Sequence, residues 1–288
     1  IVLIDANHQR AEGEAMDLSH ALPFTPSARV WAGTYEDCAN AAVTVVAAGA
    51  AQKPGETRLD LAQKNAAIFK QIVEQMQRAG ALQKNGDDVL LVATNPVDVL
   101  TFAAQQFSGL APNRVLGSGT ILDTARFRYL LGRHCGVDPH SVHGYIIGEH
   151  GDSEVPVWSL ANIGGMPLDE YCAAHKIPFG PAERDEIYRA TRDAAYEIIS
   201  RKGATYYAVG AGLLRIVQAI VRNQSTVLSV SSLQNGLYGL PEVCLSLPTV
   251  VNRRGAQRVL PLPLSDVERE GLSRSAAVLR ESIGQLSL

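Results

Sequence analysis

Long apolar runs, paired cysteines and an excess of basic charge are all missing from this sequence. No stretch of about 18 apolar residues occurs, so no segment reads as a membrane span. The longest apolar stretch, residues 39–51, is interrupted by Asn40, Thr44 and Gly49 and reads as a buried strand with its turn. The four cysteines, Cys38, Cys135, Cys172 and Cys244, form no CxxC pair and have no metal-ligand spacing. That excludes a disulfide scaffold or a zinc site and points to a reduced, cytoplasmic protein without a bound metal. With a net charge of -3, there is no surplus of positive charge for a nucleic-acid surface. Repeats, low-complexity segments, long charge runs and a secretory signal are also absent. Because the sequence opens inside an apolar run, the missing signal carries little weight.

What is present is alternation. Residues 1–5 read as a buried parallel strand ending in Asp5. A helix is expected over 9–20, strands over 29–32 and 42–47, a Gly/Pro-marked loop over 49–57, and a helix over 59–77. A strand over 89–93 ends at Thr94-Asn95-Pro96, followed by a helix over 97–106 and a short strand over 114–116. This pattern predicts an α/β fold, a doubly wound parallel sheet with helices on both faces. After Gly117-Ser118-Gly119 the pattern changes. Helices are expected over 121–134, 181–202, 205–221 and 265–285, with strands over 141–147, 155–160, 226–231 and 242–247. The boundary near 117 predicts residues 1–117 as a nucleotide-binding domain and 118–288 as a mixed α+β domain.

Gly148-Glu149-His150-Gly151-Asp152-Ser153 follows the apolar run Tyr145-Ile146-Ile147. A histidine between glycines and acids at the end of a buried strand suits proton transfer, although a surface loop would look the same. Asp123 and Arg126 lie three apart on a predicted helix and share a face. They form either a surface ion pair or two separate parts of a site. In the second case Arg126 clamps a substrate carboxylate and Asp123 orients the ring of His150. Asp5, at the end of the first visible strand, suits the ribose hydroxyls of a dinucleotide and disfavours a 2′-phosphate. The polar loop from Gln52 to Arg58, hinged at Gly49 and Gly55, suits a closing lid.

Four stretches carry a family resemblance: residues 48–58 (AGAAQKPGETR), 94–98 (TNPVD), 117–128 (GSGTILDTARFR) and 148–153 (GEHGDS). Together, in this order, they resemble the L-lactate/malate dehydrogenases, the bacterial L-lactate branch most closely, over essentially the whole chain. The resemblance implies a Rossmann-type NAD-binding half, a catalytic half and interconversion of pyruvate and L-lactate. It implies His150 as proton donor and acceptor, Asp123 as its orienting partner and Arg126 as the carboxylate clamp. Arg58 would polarise the carbonyl. Asn95 would contact the reacting oxygen and the nicotinamide ribose, and the bond before Pro96 would be cis. Thr205 would lie near the substrate side chain. Asp5, Gly49, Ala50 and Asn95 would line NAD.

Gln52 stands where an arginine would select oxaloacetate. A neutral glutamine there, with Asp152 nearby, favours pyruvate over a second carboxylate. Arg128 and His143 match positions that bind fructose 1,6-bisphosphate across a subunit interface in allosteric members, and a homotetramer is implied. The family's first strand, glycine-rich turn and first helix precede the first residue here. The chain as it stands is therefore expected to bind NADH poorly and to be unstable alone. Malate dehydrogenase and a non-catalytic remnant are the competing readings.

Overall fold

The structure, a computed structural model, describes residues 1–50, 57–83 and 86–286, with the backbone alone for Arg58. Strands and helices alternate through the first half: β1 (Val2–Leu3), α1 (His8–His20), β2 (Trp31–Ala32), β3 (Val43–Val46), α2 (Arg58–Arg78), β4 (Val89–Val92), α3 (Val97–Ser108) and β5 (Val115–Gly117). β3, β4 and β5 pair in parallel. Every residue of β4 is fully buried, as a Val-Leu-Leu-Val strand covered on both faces requires. Phe69, Val73 and Met76 of α2 and Leu100 and Ala104 of α3 pack with Leu90 and Val92. β1 and β2 form a separate parallel pair joined through α1. No helix among the described residues is long and apolar enough to cross a membrane.

The second half supplies α4 (Ile121–Cys135), the short strands β6 (Val142–His143), β7 (Ile146–Ile147), β8 (Val155–Pro156), β9 (Asn162–Ile163) and β10 (Met166–Pro167), and then α5 (Leu168–Ala174), α6 (Pro181–Arg192), α7 (Ala194–Lys202) and α8 (Tyr207–Val221). The long strands β11 (Thr226–Gln234) and β12 (Val243–Asn252), β13 (Gly255–Val259) and α9 (Asp266–Gly284) complete it. Among the described residues the largest sheet is six-stranded, in the order β13-β12-β11-β5-β4-β3. β11 adds antiparallel to β5 at Ser231 opposite Gly117, so one sheet continues through the expected boundary.

Local departures from the expected elements have local causes. The strand expected over 141–147 is broken at Gly144, where a Cβ would come within 2.9 Å of the Phe127 ring. The strand expected over 155–160 lasts two residues before a 3₁₀ turn at Trp158–Leu160. The helix expected over 181–202 divides at Asp193, whose carboxylate takes two hydrogen bonds from Arg192.

Candidate active site

Three chain segments meet at the C-terminal ends of β4 and β5: the turn into α3, the first turn of α4 and the loop after β7. The start of α4 is fastened to β7 and β12 by small polar side chains. Thr120 Oγ1 donates to the Ile146 carbonyl at 2.6 Å, and the Thr120 N–H donates to Ser246 Oγ at 3.0 Å. Thr124 Oγ1 accepts the Ile146 N–H at 3.0 Å. This lacing sets the first turns of α4, which carry Asp123 and Arg126, against the strand that leads into the histidine loop.

The loop is pinned from its other side. Gly148 has φ +88° and pairs through both its N–H and C=O with Ser246. A Cβ there would lie 2.6 Å from Ser275 Oγ, the same oxygen that accepts the Glu149 N–H at 2.7 Å. The Glu149 carboxylate turns back to accept from the N–H and hydroxyl of Ser153, at 3.1 and 2.5 Å. His150 is therefore carried on a rigid turn.

Its ring meets Asp123. The two are joined by a 2.5 Å hydrogen bond between Nδ1 and Oδ2, and Arg126 Nη1 donates to Oδ1 of the same carboxylate at 2.9 Å. Asp123 and Arg126 do form an ion pair, and the same carboxylate also meets the histidine ring. The pair is not a surface one, since Asp123 is only 2% exposed. With Nδ1 donating to Asp123, Nε2 is the nitrogen left to face a substrate.

The electrostatics follow from burial and charge. Burial alone would push His150 down. The charge and hydrogen bond of Asp123, with the charges of Asp98 and Glu154, outweigh it and raise the imidazole to about 9. Burial alone would push Asp123 up, yet His150 and Arg126 hold it below the ordinary carboxylate range. Glu154 is the opposite case. It is 4% exposed, and burial and the nearby Asp123 charge raise it to about 8, against the pull of His150, Arg126 and Arg192.

On the cofactor side, Asn65 of α2 is the hidden organiser. It is 1% exposed. Its Oδ1 accepts the Ala50 N–H at 2.7 Å and its Nδ2 donates to the Asn95 carbonyl at 3.2 Å. Thr94 Oγ1 donates to the Ala48 carbonyl at 2.8 Å. A Cβ on Gly49 would come within 2.5 Å of Thr94, so the two strand ends approach closely only because that residue is glycine. The Asn95–Pro96 bond is cis. Asp5 is exposed beyond β1, and its Oδ1 accepts the Asn7 N–H at 2.8 Å. Its second oxygen makes no hydrogen bond to a described residue, which fits acceptance from a ribose hydroxyl.

Other expected residues are less tightly joined. Thr205 lies two residues before α8, half-buried, and no hydrogen bond connects it to His150. Arg128 Nε donates to the Gly144 carbonyl at 3.0 Å, and its guanidinium lies over the Tyr145 ring. Burial pushes Arg128 below its usual value. His143, on β6, is exposed. Gln52 and the Arg58 side chain lie outside the described residues. Sequence patterns gave no role to Asn65, Asp98, Glu154, Ser246 or Ser275. Only Asp98 and Glu154 had a visible signal, as acids lying in or beside the motifs.

A sheet whose parallel strand ends present a His-Asp-Arg chain built on a buried carboxylate, beside the close approach of two strand ends at Gly49, is the arrangement of a nicotinamide-dependent dehydrogenase of small hydroxy acids. Residues 1–117 match the family model of the lactate/malate dehydrogenase NAD binding domain, and residues 120–287 match that of the alpha/beta C-terminal domain. The chain belongs to the lactate/malate dehydrogenase family. It is 50% identical over 288 residues to an L-lactate dehydrogenase of Acetivibrio thermocellus, covering all of this chain and 89% of that one. To an L-lactate dehydrogenase of a Synechococcus species it is 51% identical over 286 residues, covering 99% of this chain and 90% of the relative. Among solved structures, the minor L-lactate dehydrogenase of Enterococcus mundtii in its ligand-bound form superposes with a TM-score of 0.95. The identity there is 42%, covering all of this chain and 90% of that one.

Proposed function

We propose that the protein is an NAD-dependent L-lactate dehydrogenase. The observation that carries this reading is the chain Arg126–Asp123–His150, with its 2.9 and 2.5 Å contacts. Pyruvate is held by its carboxylate on Arg126, with its carbonyl oxygen toward His150 Nε2. Bound NADH supplies the hydride to the carbonyl carbon. His150 Nε2 delivers the proton to the carbonyl oxygen, giving L-lactate and a neutral imidazole, and takes it back in the reverse direction. Asp123 keeps the Nδ1 proton in place throughout. Arg58 stabilises the charge that develops on the oxygen, and Asn95 holds the same oxygen and the nicotinamide ribose. Asp5, Gly49 and Ala50 hold the rest of NAD, and Thr205 contacts the substrate methyl.

The test is NADH oxidation by the full-length enzyme with pyruvate and with oxaloacetate, and the chirality of the product. L-lactate from pyruvate, with oxaloacetate much slower, supports the reading. Preference for oxaloacetate would make the protein a malate dehydrogenase, and turnover of neither would leave a non-catalytic remnant.

Specificity is assigned to Gln52. Gln52→Arg is expected to raise kcat/KM for oxaloacetate and depress that for pyruvate, because pyruvate leaves the new guanidinium unpaired. Such a change is worth about 2–4 kcal/mol, or roughly 30- to 1000-fold in the ratio. Steady-state kinetics with both substrates measure it, and an unchanged ratio would remove Gln52 from the site.

The pH dependence has a definite sign. Reduction needs His150 protonated, and its pKa is raised to about 9. Pyruvate reduction, as kcat/KM, is therefore expected to be level through neutrality and to fall as pH rises through about 9. Lactate oxidation needs the neutral ring and should rise over the same window. A reduction limb at the ordinary histidine value near 6.5 would mean that Asp123 does not hold the imidazolium.

Arg128 and His143 are proposed to bind the phosphates of fructose 1,6-bisphosphate across an interface of a homotetramer. The support is that Arg128 holds the carbonyl of Gly144, the residue next to the exposed His143, so the two basic side chains are brought to one stretch of surface. Sedimentation and activity with and without the bisphosphate test both points.

A further inference from the structure

Asp98 belongs to the stretch 94–98 that singled out Asn95, but it has no part in the reaction as written above. It is 2% exposed on the first turn of α3. Its Oδ2 accepts the main-chain N–H of His150 at 2.7 Å, and the buried Ser231 hydroxyl faces the carboxylate. An acid in a helix's first turn ordinarily serves that helix, by capping its free N–H groups. Asp98 does not: α3 follows Pro96 with no side-chain cap, and the carboxylate goes to a residue 52 positions away. A buried carboxylate is costly to maintain. An amide or hydroxyl could accept the same N–H more cheaply, so the charge itself needs a reason.

The groups facing Asp98 supply one. They are His150 and Glu149 from the loop, Ser231 from β11 and Cys244 from β12. Among these His150 is the one that can become cationic. Around His150 itself stand Asp123 and Arg126 of α4, with Glu154 beyond. We propose that Asp98 is a positioning residue for proton transfer, which ties the main chain of His150 to the turn bearing Asn95 and acts as a second counter-ion to the imidazolium. This rests on the reading of His150 as proton donor. Asn95, which faces the nicotinamide, and His150, which faces the carbonyl oxygen, are then parts of one unit, fixed through Pro96, the first two residues of α3 and one hydrogen bond. Burial raises Asp98 to about 6, so it is ionised at neutral and alkaline pH, where the proton on His150 has to be held.

Three variants of the full-length enzyme separate the two roles. Asp98→Asn keeps an oxygen for the His150 N–H and removes the charge. Its alkaline limb for pyruvate reduction should move to lower pH by about one unit, with NADH affinity and KM for pyruvate within about twofold of wild type. Asp98→Glu keeps the charge and displaces it, so the limb should stay close to wild type while kcat falls about tenfold. Asp98→Ala loses both, with a kcat loss of about 100-fold and the limb shifted as in Asp98→Asn. A purely structural residue would lower the Tm of all three without moving the limb of Asp98→Asn. A limb in Asp98→Asn that overlays wild type would overturn the counter-ion role. Unchanged kcat in Asp98→Glu and Asp98→Ala would overturn the positioning role. Loss of the limb in wild type would instead remove the proton-donor reading, whatever Asp98 does.

Discussion

His150→Asn is expected to lower kcat for pyruvate reduction by about 10²–10⁴-fold, the usual contribution of a general acid, while NADH affinity stays within about twofold. The reasoning is geometric. The ring is the proposed contact with the substrate, whereas the expected nucleotide contacts are at Asp5, Gly49, Ala50 and Asn95. Asparagine can still donate a hydrogen bond to Asp123 Oδ2, so the carboxylate is not left bare, and Arg126 remains on Oδ1. The Glu149–Ser153 and Gly148–Ser246 contacts that shape the turn do not involve the ring. The fold should therefore survive, and the loss should fall on kcat rather than on binding. Single-turnover reduction and NADH titration by fluorescence separate the two. Near-normal turnover in this variant would remove the proton donor from the site.

The parts of this site that were legible in the sequence are those with a short-range signature. The glycines around His150 mark a turn, and the three-residue spacing of Asp123 and Arg126 places them on one helix face. Asp98, Glu154, Asn65, Ser246 and Ser275 were not legible as a set, because each reaches the site from a different element. Ser275 lies more than 100 residues from the loop that it pins. A buried acid also reads no differently in sequence from an exposed one. Asp98 at the start of a helix looks like a dipole partner until the fold brings His150 over it.

The same distinction applies to the fold. Alternation of apolar runs announces β3, β4 and β5 with their helices, since each unit is local. The addition of β11 to β5 was hidden, because it depends on which edge the parallel strands leave open. β13, Gly255-Ala256-Gln257-Arg258-Val259, is too short and polar to stand out without β12 beside it. Asp193 divides a helical pattern that periodicity alone would run through.

Asp123→Asn should be the more informative loss, because it changes the pH at which the enzyme works as well as its rate. The carboxylate accepts from two cationic groups with both oxygens, at 2.5 and 2.9 Å. An asparagine has one acceptor. If its oxygen stays on Arg126, its NH₂ faces His150 Nδ1 and forces that nitrogen to accept, leaving a neutral ring that is a very poor acid. If its oxygen turns to His150, the NH₂ meets the guanidinium donor to donor. Either way the imidazolium loses its main counter-ion, and burial, which already opposes its charge, is left to prevail. The alkaline limb of pyruvate reduction is expected to fall from about 9 to below the ordinary histidine value near 6.5. That is a larger shift than in Asp98→Asn, since Asp123 combines contact and charge at the ring. At neutral pH kcat should drop by about 10²–10⁴-fold, with partial recovery as pH is lowered. KM for pyruvate should rise as well, because Arg126 loses the oxygen that holds it. Removing one member of a buried pair costs about 3–5 kcal/mol when the other keeps its charge. His150 can discharge but Arg126 cannot, so the fall in Tm should narrow as pH rises through about 9, where the wild type loses its own His150–Asp123 stabilisation, and persist above it through the unpaired guanidinium. A limb that stays at its wild-type position in Asp123→Asn would mean that something other than this carboxylate holds the proton on His150.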